Sequence, residues 1–168
     1  MRILGVDPGT AVCGFGVVDA ARPPKLVCCG VLQTSPDRPL AERLKEIRDG
    51  LAALIAAHAP EVVAVESAFY AKNVRTTVVL SHARAAVLLA AADAGLPVHE
   101  YPPATVKKAV CGRGAALKPQ VAYMVAQHLR LATPPAPADA ADGVALALTH
   151  LFQLARPVAP VARARRPA

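Results

Sequence analysis

Residues 2–19 read Arg-Ile-Leu-Gly-Val-Asp-Pro-Gly-Thr-Ala-Val-Cys-Gly-Phe-Gly-Val-Val-Asp. A short apolar run, Arg2–Asp7, ends on an acid. Pro8-Gly9-Thr10 turns the chain, and a second apolar run, Cys13–Val18, carries glycines at 14 and 16. Asp19–Pro24 turns it again into a third run, Leu26–Leu32. Connections this short leave no room for a crossover, so the three strands form an antiparallel meander.

Beyond this meander the period changes. In Pro39–His58, Leu40, Leu44, Ile47, Leu51, Leu54 and Ile55 fall on one helical stripe, and Ala59-Pro60 ends it. Glu61–Glu66, with Val-Val-Ala-Val at its heart, is a fourth strand. Because a helix precedes it, it pairs parallel to the first. Ser67–Asn73 is a loop, Thr76–Ala94 a long helix stopped by Gly95, and Pro97–Tyr101 a fifth strand. Helices over Pro102–Val110, Lys118–Leu129 and Ala138–Leu154 complete the pattern, linked by Cys111–Ala116 and the proline-rich Ala132–Pro137. The order predicts one α/β domain over residues 1–155, a five-stranded mixed sheet flanked by helices on both faces, without internal repeats. Residues 156–168 hold three prolines and four arginines and are expected to form a disordered basic tail.

Composition narrows the function. Of 168 residues, 54% are hydrophobic and 18% charged, which excludes a disordered chain and a solvated coiled coil. The longest uncharged helical stretch, Gly143–Ala155, is too short to span a bilayer, and Ile3–Val6 is too short for a signal peptide. The four cysteines have no metal-ligand spacing, so reduced thiols and a cytoplasmic location are expected. Nineteen basic against twelve acidic residues leave a net charge of +7, which suits a polyanion and also suits a merely soluble basic protein.

With acids so few, their placement carries information. Asp7 ends the first strand and Glu66 the fourth, so both emerge at the strand-end edge where open α/β sheets place ligands. Asp139 and Asp142 open the last helix at i, i+3, on one face. Charge on a helix dipole explains one aspartate there. It does not explain the small apolar residues that follow, Gly143 to Leu146, which suggest a helix pressed onto the sheet beside Asp7. Several carboxylates in one pocket need a compensating cation, and hard oxygens select Mg²⁺ or Mn²⁺. Two such ions per site form the clamp used for in-line phosphodiester attack. Asp7 is expected to bridge them, Glu66 and Asp142 to hold one each, and Asp139 to support the pocket. Lys118 stands at a helix start, where a cation opposes the dipole, and is either a phosphate contact or a solvated lysine. Phe69, in the loop after the fourth strand, is either a wedge between bases or a core residue. Lys72, Arg75, Arg84 and Arg113 could track phosphates, and Lys107 is a better DNA contact than Lys108. The Thr76–Ala94 helix is apolar nearly all round, so a second covering surface, either a partner copy or another helix, is expected.

Four segments together resemble the RuvC family of Holliday-junction resolvases: Gly-Val-Asp-Pro-Gly-Thr (5–10), Val-Glu-Ser-Ala-Phe-Tyr-Ala-Lys-Asn (65–73), Gly-Arg-Gly-Ala-Ala-Leu-Lys (112–118) and Ala-Asp-Ala-Ala-Asp-Gly-Val-Ala-Leu-Ala (138–147). The resemblance implies a ribonuclease-H-like fold and a homodimer. It also implies paired symmetric nicks in four-way DNA during recombination and repair, dependence on Mg²⁺ or Mn²⁺, and 5′-phosphate and 3′-hydroxyl products. Branch-migration proteins RuvA and RuvB would be its partners. The family's catalytic acids match Asp7, Glu66, Asp139 and Asp142, its functional lysines Lys107 and Lys118, and its junction-probing aromatic Phe69; Tyr70, a further candidate DNA contact, departs from the pattern, standing where an apolar residue is common. The tail from Arg156 has no counterpart in this pattern. Two rival readings are a junction-binding protein with a dead site, which the four acids oppose, and an actin- or sugar-kinase-like ATP-binding domain, which needs a second lobe.

Overall fold

The computed structural model describes residues 1–67 and 74–155, with backbone alone for residues 74–76. Its five-stranded sheet runs β3 (Lys25–Gln33), β2 (Val12–Asp19), β1 (Arg2–Asp7), β4 (Val62–Glu66), β5 (Val98–Tyr101). The β1–β2 and β2–β3 pairs are antiparallel, and β1–β4 and β4–β5 are parallel, as the short turns and the helical connections require. β2 and β3 extend one residue further at each end than the apolar runs predict. The backbone ladder continues through Val12–Gln33 and Asp19–Lys25 regardless of side-chain polarity.

Alternation along β1 decides what each face holds. Leu4 and Val6 enter one core with Phe15, Val17, Val63 and Val65. This core is closed by α1 (Leu40–His58), through Ile47 and Leu51, and by α2 (Val74–Asp93), through Ala86, Val87 and Ala90. Ile3, Val18, Val62 and Ala64 enter the second core, under α3 (Pro103–Cys111), α4 (Lys118–Leu129) and α5 (Ala138–Leu154). Full burial of side chains such as Leu51 and Leu146 contributes roughly 1.5–3 kcal/mol each, so both cores are substantial. Asp7 and Glu66 follow the second phase and rise on the α5 side.

α2 starts at Val74 rather than Thr76. α3 ends where Gly112 takes a left-handed φ of 77°, a conformation glycine adopts without steric cost. All four cysteines are free, and Cys13 is buried. Among the described residues no helix is long and apolar enough to cross a membrane. Most of the Ser67–Asn73 loop, with Phe69, Tyr70 and Lys72, lies outside the described residues, as does the tail 156–168.

Candidate active site

Strand register lines up four residues across the strand-end edge on the α5 side. Gly14 is paired with Asp7, Val6 with Val65 one step before Asp7 and Glu66, and Glu66 with Tyr101. The start of α5 crosses directly over this row, and two missing side chains allow it. A Cβ on Gly14 would lie 1.9 Å from the carbonyl oxygen of Asp139, and one on Gly143 would lie 2.6 Å from the Phe15 backbone. The glycines of the second strand and the last helix therefore bring the aspartate pair down onto Asp7.

Carboxylate oxygens of Asp7, Asp139 and Asp142 all lie within 4.8 Å of one another. Glu66 lines the same cleft, of about 210 Å³, without joining that tight trio. Pro103, Val106 and Lys107 of α3, and Lys118 and Val121 of α4, form the opposite walls. Burial, and then repulsion from Glu66 and Asp142, push the Asp7 carboxyl up to about 7, while Lys118 pulls it back in part. Burial and Asp142 also raise Glu66 above the usual carboxylate range. Such an array is short of positive charge, and Lys118 supplies some of it. Its Nζ donates to Asp142 Oδ2 at 2.8 Å and lies 4.0 Å from Asp139 Oδ1, which raises its own pKa. The cation that opposes the helix dipole is thus held by the acids. Three hard oxygen donors facing one another, with one carboxyl too crowded to ionise easily, fit a divalent hard cation.

The remaining predicted residues fall into different settings. Lys107 is half-buried in the cleft, whereas Lys108 is exposed. Arg113 is exposed and borders a separate shallow groove with Cys111, Gln120 and Tyr123. Arg84, read as a phosphate contact, instead pairs with Glu100 of β5 on the opposite sheet face, because alternation turns Glu100 toward α2. Arg75 belongs to the first turn of α2, and its side chain lies outside the described residues, as do Phe69, Tyr70 and Lys72. The sequence marks Lys107 as a functional lysine and a DNA contact, but not its cleft neighbours Pro103 and Val106. Their 103, 106, 107 spacing on one helical face was the available signal.

Residues 3–150 match the family model of crossover junction endodeoxyribonuclease RuvC. The RuvC of Halorhodospira halophila is 52% identical over 157 residues, covering 94% of this chain and 93% of that protein. This chain belongs to the RuvC family. The Thermus thermophilus RuvC structure aligns with a TM-score of 0.85 at 38% identity, over 92% of this chain and 96% of that one. T. thermophilus RuvC in complex with Holliday junction substrate aligns at 0.84 and 36% identity, over the same shares. The expected ribonuclease-H-like fold, a five-stranded mixed sheet between two helical layers, is the RuvC fold seen here.

Proposed function

We propose that this RuvC-family endonuclease resolves four-way DNA junctions by in-line hydrolysis at the acidic cleft, with two Mg²⁺ or Mn²⁺ ions held by Asp7, Glu66, Asp139 and Asp142. The observation that carries the reading is the convergence of Asp7, Asp139 and Asp142, far apart in sequence, to within 4.8 Å beside a lysine. When bound, the ions supply an activated water and neutralise the leaving 3′ oxygen. Asp7 lies on β1, paired to the β4 strand that carries Glu66, and lines one cleft with Asp142, which supports reading it as the carboxylate the two ions would share. Asp139 belongs to the tight trio, which supports giving it a ligand role beside that of supporting the pocket. Lys118 and Lys107 line the same cleft, where their ammonium groups meet the charge of the scissile phosphate. Catalytic roles fall to the four acids and Lys118. DNA contacts fall to Phe69, Tyr70, Lys72, Arg75, Lys107, Arg113 and Lys118.

Two symmetric nicks need two sites, which an isologous homodimer supplies. α2 offers the surface: Val78 and Leu89, 49% and 56% exposed, lie on one stripe with His82 and Ala85. RuvA and RuvB are the proposed partners, the cytoplasm the proposed compartment, and ligatable 5′-phosphate and 3′-hydroxyl ends the products. The domain is proposed to span residues 1–155, with a disordered basic tail beyond it.

The test is single-turnover nicking of a synthetic four-way junction in Mg²⁺. The wild type cuts in pairs. Asp7→Asn binds the junction in a gel shift but loses cleavage by more than about a thousandfold. Full cleavage by that variant would refute the reading. Binding without any metal-dependent cutting by the wild type would favour a dead-site architectural protein.

A further inference from the structure

Glu66 closes one side of the cleft, yet it ends a strand whose outer neighbour, β5, is a four-residue edge strand. Glu66 pairs in register with Tyr101, and the next residue, Ser67, donates its N–H to the Tyr101 carbonyl at 3.0 Å. Tyr101 also feeds α3 through Pro102, so Pro103, Val106 and Lys107 of the cleft wall hang from the same junction. Whatever holds Tyr101 therefore holds two walls.

That anchor lies on α5. The Tyr101 hydroxyl meets His150 Nδ1 at 2.7 Å, and His150 is 3% exposed. His99, two residues before Tyr101 and on the same strand face, packs its ring 4.6 Å from that of His150. His150 follows Asp139 by three helical turns on nearly the same side of α5. Burial and His99 hold the imidazole pKa down, and burial holds the phenol up, so both partners of this hydrogen bond favour their neutral forms. A purely apolar contact would fill this space without desolvating two polar groups. The polar pair adds direction, and direction is what ligand geometry needs.

We propose that the Tyr101–His150 hydrogen bond pins the Glu66 and α3 walls against the helix carrying Asp139 and Asp142, making Tyr101 and His150 positioning residues for the divalent ions. The inference rests on the metal-dependent reading above. Neither residue lines the cleft; both act through Glu66 and α5.

The test uses the full chain without DNA and reads Mn²⁺ binding from the paramagnetic resonance of free Mn²⁺. Tyr101→Phe removes only the hydroxyl, His150→Leu removes its polar partner, and His150→Asn restores a polar partner near the Nδ1 position. Tyr101→Phe and His150→Leu are each expected to weaken Mn²⁺ binding about three- to tenfold, and their double variant no further. His150→Asn is expected to keep most of the wild-type affinity. Junction affinity without divalent ions stays unchanged. Wild-type Mn²⁺ affinity in Tyr101→Phe, even with a lowered melting temperature, would overturn the proposal. Additive losses in the double variant would do the same. Should His150→Leu not fold, Tyr101→Phe and His150→Asn decide. Nicking by the wild type is scored separately, so a failed nuclease reading shows itself there, whereas a failed pin leaves wild-type cutting intact.

Discussion

Replacing Asp7 by Asn should stabilise the metal-free protein at neutral pH while abolishing its chemistry. The Asp7 carboxyl is pushed from an ordinary 3.8 up to about 7, chiefly by burial and then by Glu66 and Asp142. With its folded pKa raised, the native chain keeps a proton through that window that the unfolded chain has released. Stability is therefore fully present at the acid end and is lost as pH rises toward 7. Each pH unit is worth about 1.4 kcal/mol, so moving from about pH 5 to about pH 8 costs the wild type roughly 2.7 kcal/mol at this residue. At about 2–4 °C per kcal/mol for a domain of this size, that is roughly 5–11 °C. Glu66, also raised, acts in the same direction, whereas His150, held low, loses stability as pH falls. The difference between wild type and variant cancels His150 and leaves Asp7 together with its repulsion from Glu66. Melting in EDTA across that range should show the variant's lead over the wild type growing by several degrees from the acid end to the alkaline end. Saturating Mg²⁺ should erase the wild type's deficit and do little for the variant. A difference that stays flat with pH, or a variant less stable at about pH 8, would refute the electrostatic account of the cleft.

Lys118→Ala should separate binding from chemistry: Mn²⁺ affinity without DNA rises up to about fivefold, because an exposed ion pair worth at most ~1 kcal/mol no longer competes for Asp142, while single-turnover nicking falls about 10²–10³-fold. Gly14→Ala places a Cβ 1.9 Å from the Asp139 carbonyl oxygen, so α5 must shift. Urea unfolding should show a loss of about 1–3 kcal/mol, and nicking should fail even where the protein remains folded. Glu substitutions at both Val78 and Leu89 should yield a monomer in light scattering that no longer makes paired nicks; an intact dimer would exclude α2 as the interface. Phe69→Ala should retain tight junction binding and lose most cutting, read by gel shift against nicking; unaltered cutting would remove Phe69 from the junction-probing role.

Most of the fold was legible because local physics dictates it. Apolar runs broken by the Pro8-Gly9 and Pro23-Pro24 turns give strands β1 to β3, and the stripe from Leu40 to Ile55 gives α1. The boundaries drifted at β2 and β3, where backbone pairing outruns the apolar pattern. The four acids were visible as rare charges closing apolar segments, and the Gly143–Leu146 run foretold a helix pressed on the sheet. Lys107 in the cleft, Arg84 turned to Glu100, and the Tyr101–His150 bond were not legible in the same way.

By itself, the order of residues determined the strands, the helices, the sheet's two buried faces and the positions at which carboxylates would emerge, since period and turn chemistry are properties of neighbours along the chain. Only the tertiary structure decided that Asp139 and Asp142 descend onto Asp7 and that Lys118 reaches across to them. It also decided that Glu66 stands slightly apart, braced by β5. Those are distances between segments far separated in sequence, set by how closely Gly14 and Gly143 let α5 approach the sheet.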